Sequence, residues 1–298
     1  MKVLFVLLLA TTCLADWQER VRSGENLPKL GKAQETHREL LAALREADTA
    51  GLAGPDLGVI LDALGRADFQ LGNYRSAARY FERSLKIWSP RSKAHATALC
   101  NAGEVYQAMG DYRRAEAVFR ESLEVLPSSP QVWLVLGQVL LLRGDYRQSE
   151  AALSKAVVLF KELKSDQVAV ALSDLAALQW AQLNYPKAAE LLRDALLLLG
   201  PGQPRGRVLA NLGELHWKLG QKAEAETNFT LALREMELAV GHHHPDVGRI
   251  LDEYSVVLRK TGRSKEARQM KIRADGIRSA FAIPTNSGRA TIDWRELK

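Results

Sequence analysis

Three stretches carry residue types that could do chemistry, and each lacks the spacing its chemistry needs. His242, His243 and His244 stand in a row before Pro245. Imidazoles bind zinc, but three consecutive loop residues do not converge on one ion, and no Cys or Glu cluster nearby completes a tetrahedral site. The run reads as a loop whose last member, with Pro245, opens a helix. Gly24, Gly31 and Lys32 follow the order of a phosphate loop; six residues separate the glycines and Ala33 replaces the required Ser or Thr, so no phosphate cradle is specified. No G-x-S-x-G, H-E-x-x-H or paired CxxC occurs. The sequence therefore implies no enzyme, no catalytic residue, no metal and no cofactor.

Two weaker signals need positions before they mean anything. Asn228-Phe229-Thr230 is a glycosylation sequon, but Phe229 is expected to face the core of a rigid helix, which argues against occupancy. Arg259, Lys260, Arg263, Lys265, Arg268, Lys271, Arg273 and Arg278 make the last segment basic. Interleaved with Glu266 and Asp275, they read as a solvated face, with a docking patch for an acidic partner or membrane headgroups as the alternative.

The elements that must position such residues are helices. The chain has 298 residues, 47% hydrophobic and 7% aromatic, enough apolar material for a core built from many small contacts. No Pro/Gly/Ser-rich linker divides it, so one elongated unit is expected rather than two globular domains. Residues 1–15 read as a signal peptide: Lys2, an apolar run from Val3 to Ala10, and small residues at Cys13 and Ala15 that suit cleavage after Ala15. The run is shorter than the roughly 20 residues a membrane span needs, which disfavours a retained anchor. A lipoprotein signal would use Cys13, and Ala10-Thr11-Thr12 ahead of it lacks that pattern. The sequence thus predicts an exported, periplasmic or secreted, protein. Cleavage removes Lys2 and no acid, taking the net charge from +6 to +5. That favours weak attraction to anionic membrane surfaces and falls short of a nucleic-acid-binding stripe. Cys100 is then the sole cysteine, so packing and not a disulfide must supply stability.

A turn recurs: Gly72-Asn73-Tyr74, Gly110-Asp111-Tyr112, Gly144-Asp145-Tyr146 and Leu183-Asn184-Tyr185, with weaker copies at Gly31-Lys32-Ala33, Gly220-Gln221-Lys222 and Gly262-Arg263-Ser264. Steps between them are 41, 38, 34, 39, 37 and 42 residues, the period of a helical solenoid. Ahead of the turns lie Leu61-x2-Leu64-Gly65, Leu99-x2-Ala102-Gly103-x2-Tyr106, Trp133-x2-Leu136-Gly137 and Leu209-x2-Leu212-Gly213, each one apolar helical face. After them come Ala77-x3-Phe81, Ala115-x3-Phe119, Ala188-x3-Leu192 and Ala225-x3-Phe229, the faces of second helices. A small residue at a crossing lets two helices approach, and the ring one turn away fills the space beside them. No pair can bury its face alone, so neighbours must stack.

In its order and spacing the segment from Leu99 to Pro127 resembles the tetratricopeptide repeat, and the longer steps, with the Gly241–Val247 stretch, are similar to the repeats of kinesin light chains. The resemblance implies an all-α, right-handed α-solenoid of about seven helix-turn-helix units at 17–57, 58–95, 96–129, 130–168, 169–205, 206–247 and 248–280. The array thus fills 16–280 and leaves a tail at 281–298. The first unit is degenerate around Pro28, and the last carries Lys271 where a ring is usual. The tail leaves the pattern at Pro284, with Ile292 and Trp294 able to dock back.

By the same resemblance, first helices line a concave groove that binds a peptide or helical segment of another protein. The positions left over from the core include Arg66, Asn101, Glu104, Gln138, Leu141, Trp180, Asn211, Glu214, Trp217 and Lys218. Asn101 and Asn211 fall where the family often holds a peptide backbone, since an amide donates and accepts at once. The family's carboxylate clamp would need other residues at Asp62, Arg66, Gln131 and Val135, so capture of a free C-terminus is not expected. Leu134, Leu141, Trp180 and Trp217 either give the groove an apolar middle or, for the two tryptophans, pack between units. The expected function is an interaction scaffold; self-association into a structural element of an envelope complex is the alternative.

Overall fold

The computed structural model describes residues 30–280, with side chains from residue 34. The signal-peptide reading, the Gly24–Lys32 stretch up to residue 29 and the tail with Ile292 and Trp294 lie outside them. The described residues form thirteen α-helices and no strand: α1 Leu30–Ala50, α2 Pro55–Gln70, α3 Tyr74–Leu85, α4 Lys93–Ala108, α5 Tyr112–Val125, α6 Pro130–Leu142, α7 Tyr146–Glu162, α8 Val168–Ala181, α9 Tyr185–Leu198, α10 Gln203–Lys218, α11 Lys222–Val240, α12 Pro245–Lys260 and α13 Ser264–Ala280. The expectation of a turn at Gly31-Lys32-Ala33 is corrected, since α1 runs straight through it. One glycine inside good helix formers costs only ~1 kcal/mol and does not end a helix. None of the described helices is long and apolar enough to cross a membrane. The chain divides into two compact units, the first reaching Arg143 and the second starting at Gly144.

In the first unit, α5 shows how sequence becomes element. The Asp111 carboxylate accepts a hydrogen bond from the Arg114 amide at 3.2 Å, satisfying a free donor of the first turn. Ala115, Phe119, Ser122 and Leu123 then fall on one buried face. The preceding helix, α4, ends at a left-handed glycine. Gly110 has φ 77°, its amide donates to Gln107 O at 3.0 Å, and that of Asp111 donates to Tyr106 O at 2.8 Å.

The crossing within each pair is set by space. A β-carbon placed on Gly103 would lie 2.4 Å from Cε1 of Phe119, and one on Gly65 would lie 2.6 Å from Cζ of Phe81. In the second unit the same carbon on Gly213 would sit 3.0 Å from Phe229. The aromatic ring thus occupies the volume the glycine vacates. The cores follow: Leu40, Leu44, Leu61 and Leu64 join α1 to α2, while Leu209, Phe229, Ile250, Tyr254 and Ile277 join α10 through α13.

Where the residue after the left-handed turn position is Asp or Asn, it takes one of two roles. An aspartate is acceptor-only, so Asp111 and Asp145 turn forward and cap α5 and α7. An asparagine can donate. Asn73 Nδ2 therefore reaches back to Asp68 Oδ1 at 3.1 Å, and Asn184 Nδ2 to Gln179 Oε1 at 2.9 Å. Asp68, 1% exposed, also meets His37 Nε2 at 3.0 Å, which ties α1 to α2.

Candidate peptide-binding face

In the first unit, α2 and α4 present the residues left over from the core. Arg66 is half-buried on α2, one turn beyond Asp62. Trp88 donates from Nε1 to Asp62 Oδ2 at 2.9 Å while its ring lies against Gly58, and Asp62 Oδ1 is buried without a hydrogen bond. Burial pushes the Asp62 carboxyl above the ordinary range, against the hydrogen bond from Trp88 and the charge of Arg66. On α4, Asn101 and Glu104 are half-buried at a three-residue spacing, on one face. Burial pushes Glu104 up as well, and burial with the Glu104 charge pushes the Cys100 thiol up to about 12, so Cys100 is an unreactive thiol.

Gln138 and Leu141 on α6 depart from expectation. They are 4% and 1% exposed, so neither side chain stands open on a surface. The reason lies in α6 itself: Val132, Leu134, Val135, Leu136, Val139 and Leu140 make it apolar round its whole circumference, and such a helix is buried on every side.

In the second unit, α8 and α10 bring Trp180 and Lys218 together. Lys218 Nζ lies 5.5 Å from the Trp180 ring centroid, and Tyr185 packs on the same indole at 5.0 Å and 55°. Trp217 is half-buried against the core cluster of α10 to α13. Asn211 and Glu214 stand half-buried on α10 with the spacing of Asn101 and Glu104 on α4. Sequence reasoning missed what braces this helix. Arg207 Nη2 and Gln203 Nε2 both donate to Asp246 Oδ2, at 2.8 and 2.9 Å. Burial works against the Asp246 charge, but Arg207 and Gln203 hold its carboxyl below the ordinary range.

The sequence profile of the tetratricopeptide repeat matches residues 56–128, 129–198 and 205–274. The chain belongs to the tetratricopeptide-repeat family. Solved structures of similar fold include a tetratricopeptide repeat protein from Parabacteroides merdae, at TM-score 0.65 and 16% identity over 88% of this chain and 93% of that one. The pilF protein of Pseudomonas aeruginosa gives 0.58 and 16%, over 78% and 95%. A chain of the Cut9–Hcn1 hetero-tetramer of the APC/C gives 0.62 and 16% over 81% of this chain, which spans only 43% of that one. No protein of curated function matches the sequence. Tetratricopeptide repeats are in general non-catalytic modules that bind other proteins or peptides.

Against that fold the remaining chemical signals become structural. His244 Nδ1 accepts from the Asp246 amide at 3.2 Å and caps α12, whereas His242 lies 3.3 Å from Glu237 Oε2. Among the described residues no three His, Cys, Asp or Glu side chains group to hold a metal. The Asn228 amide donates to Glu224 O at 2.8 Å and lies 3.2 Å from His216 Nδ1, beside a Phe229 that is 1% exposed. Of the basic residues of the last segment, Lys271 and Arg278 pair with Asp252, Arg273 with Glu237, and Arg263 with Glu226 and Glu266.

His216 on the tetratricopeptide helix α10 gives a pH dependence. It is 8% exposed with Nε2 unbonded; burial, then the Arg193 charge, lowers its pKa. The folded state therefore prefers the neutral ring. Its stability is complete above the ordinary histidine value of about 6.5 and declines as pH falls from there through the lowered folded value. Melts taken between neutral and mildly acid pH should show this loss, and His216→Gln should flatten the curve over that window.

Proposed function

We propose that this protein is an exported, non-catalytic scaffold that holds an extended peptide or a helical segment of another protein against the inner faces of its first helices. The observation that carries the reading is the recurrence of a half-buried asparagine, Asn101 on α4 and Asn211 on α10, each followed three residues on by a glutamate. Neither amide makes a hydrogen bond among the described residues. An idle amide beside apolar surface can take both the donor and the acceptor of a peptide backbone. That the family binds proteins and peptides supports the choice of ligand. Export rests on residues 1–15; a mature native protein beginning elsewhere than Asp16 would remove that part of the reading.

Crosslinking with mass spectrometry in the native host should recover a protein partner. Against that partner, Asn101→Ala and Asn211→Ala are compared one at a time, and at least one of them should weaken binding several-fold, the worth of one net hydrogen bond. Unchanged affinity in both single variants would overturn the inner-face reading.

A further inference from the structure

The turns between first and second helices of the second unit follow one backbone rule, and one of them follows it at a cost. Gly220 and Gly262 hold φ of 77° and 84°. The equivalent turn after α8 places Leu183 there, at φ 62°. Its amide donates to Trp180 O at 2.9 Å and that of Asn184 to Gln179 O at 2.8 Å, the same bonds that close the glycine turns. A leucine pays a steric penalty in this conformation that glycine does not. Its side chain recovers nothing by packing, since Leu183 is 71% exposed. Folding therefore does not explain the leucine, and strain without a structural return points toward function.

Each hairpin reverses the chain, so α8, α10 and α12 run in one direction and their C-terminal ends share one edge. Besides Leu183, that edge bears Lys218, Lys222, Arg259, Lys260 and Lys265. None of these five cations is in an ion pair within the described residues; Lys218 rests on the Trp180 ring. Of the acids near the edge, Glu190 pairs with Lys187, Glu226 and Glu266 pair with Arg263, and Asp145 caps α7, leaving the exposed Glu150 and Glu224. On the opposite edge of the same unit the charges are matched: Arg205 pairs with Glu235, Arg207 with Asp246 and Arg273 with Glu237. Unpaired positive charge thus collects on the first edge, which is tipped by the exposed Leu183 and includes the Trp180 ring packed on Tyr185.

We propose that this edge docks on the surface of an anionic phospholipid bilayer, with Leu183 entering the interface and the five cations facing headgroups. Lysines flanking exposed apolar and interfacial aromatic side chains suit the boundary between headgroup and acyl chain. An acidic protein would supply the charge but would leave the protruding Leu183 to find a recess. Between Lys222 and Arg263 the edge is hollowed into an open depression of about 840 Å³, lined also by Thr227, Thr261 and the Glu226 that pairs with Arg263; Lys222 is its unpaired cation.

The test is co-sedimentation of the full chain with vesicles of phosphatidylcholine, alone or mixed with phosphatidylglycerol. Binding should appear only with the anionic lipid and should fade as added salt shortens the Debye length below about 10 Å. Lys222→Glu with Lys260→Glu should cut the bound fraction tenfold or more. Leu183→Gly separates function from folding: it should raise the melting temperature by roughly 1–3 °C while lowering vesicle binding. Binding to neither vesicle, equal binding to both, full binding by Leu183→Gly, or displacement by polyglutamate as effectively as by vesicles of equal charge would each overturn the proposal. The last would assign the edge to an acidic protein.

Discussion

Gly103→Leu should destabilise the pair α4–α5 by about 3 kcal/mol, the upper end of what overpacking costs, and lower the melting temperature by roughly 6–12 °C. The β-carbon alone would meet Phe119 at 2.4 Å, and the neighbouring ring atoms lie at 2.7 and 2.8 Å, so no rotation of that ring within its pocket clears the space. Phe119 is fully buried and cannot swing out. Gly103→Ala should therefore destabilise too, although alanine is the better helix former by about 1 kcal/mol. Gly110→Ala is the contrasting control. Nothing lies within 4 Å of its β-carbon position, so its cost, about 1 kcal/mol, comes from the positive φ alone. Thermal melts rank the three variants. Equal effects of Gly103→Leu and Gly110→Ala would show that the crossing is not where the packing is tight.

The same crossings explain why most of the fold was readable in advance. A glycine, a ring sixteen residues later and a left-handed turn between them are all local, and local rules survive the transfer from sequence to structure. What escaped was set by distance. Gly58, Gly206 and Gly248 are second close approaches, seven residues ahead of Gly65, Gly213 and Ser255. They accept Trp88, Met236 and Ile277 from the far ends of second helices. The seven-residue interval between small residues was visible, but which side chain would fill each gap was not. Arg207 and Asp246 are likewise 39 residues apart, and no local pattern announces their ion pair.

The candidate site was less legible for a different reason. Subtracting core positions from a helix leaves residues, but whether they stay open depends on the rest of the helix. Gln138 fails that test because α6 has no polar face, whereas Asn101 and Asn211 keep theirs. Leu183 was seen as a member of the turn series but not as its strained member, since strain needs a dihedral angle and exposure needs coordinates.

Phe229→Ala should cost the second unit about 3–5 kcal/mol, the price of an empty aromatic site. The ring is shared three ways: it fills the space beside Gly213 on α10, projects from α11 and stacks on Tyr254 of α12 at 5.4 Å and 14°. Its loss therefore strikes two interfaces at once, the crossing inside one pair and the contact with the next. Hydrogen exchange should rise across α10, α11 and α12 together. A rise confined to α11 would mean that the pairs are stabilised separately and do not lean on each other. The glycine gives a second, independent reading. Its β-carbon position is 3.0 Å from the ring, looser than at Gly103, so Gly213→Ala alone should be close to neutral. In a Phe229→Leu background the obstruction is smaller, and the same change should become stabilising by about 1 kcal/mol, because helix propensity then acts unopposed. That sign change in a double-mutant cycle would measure directly how far the ring and the absent side chain define each other.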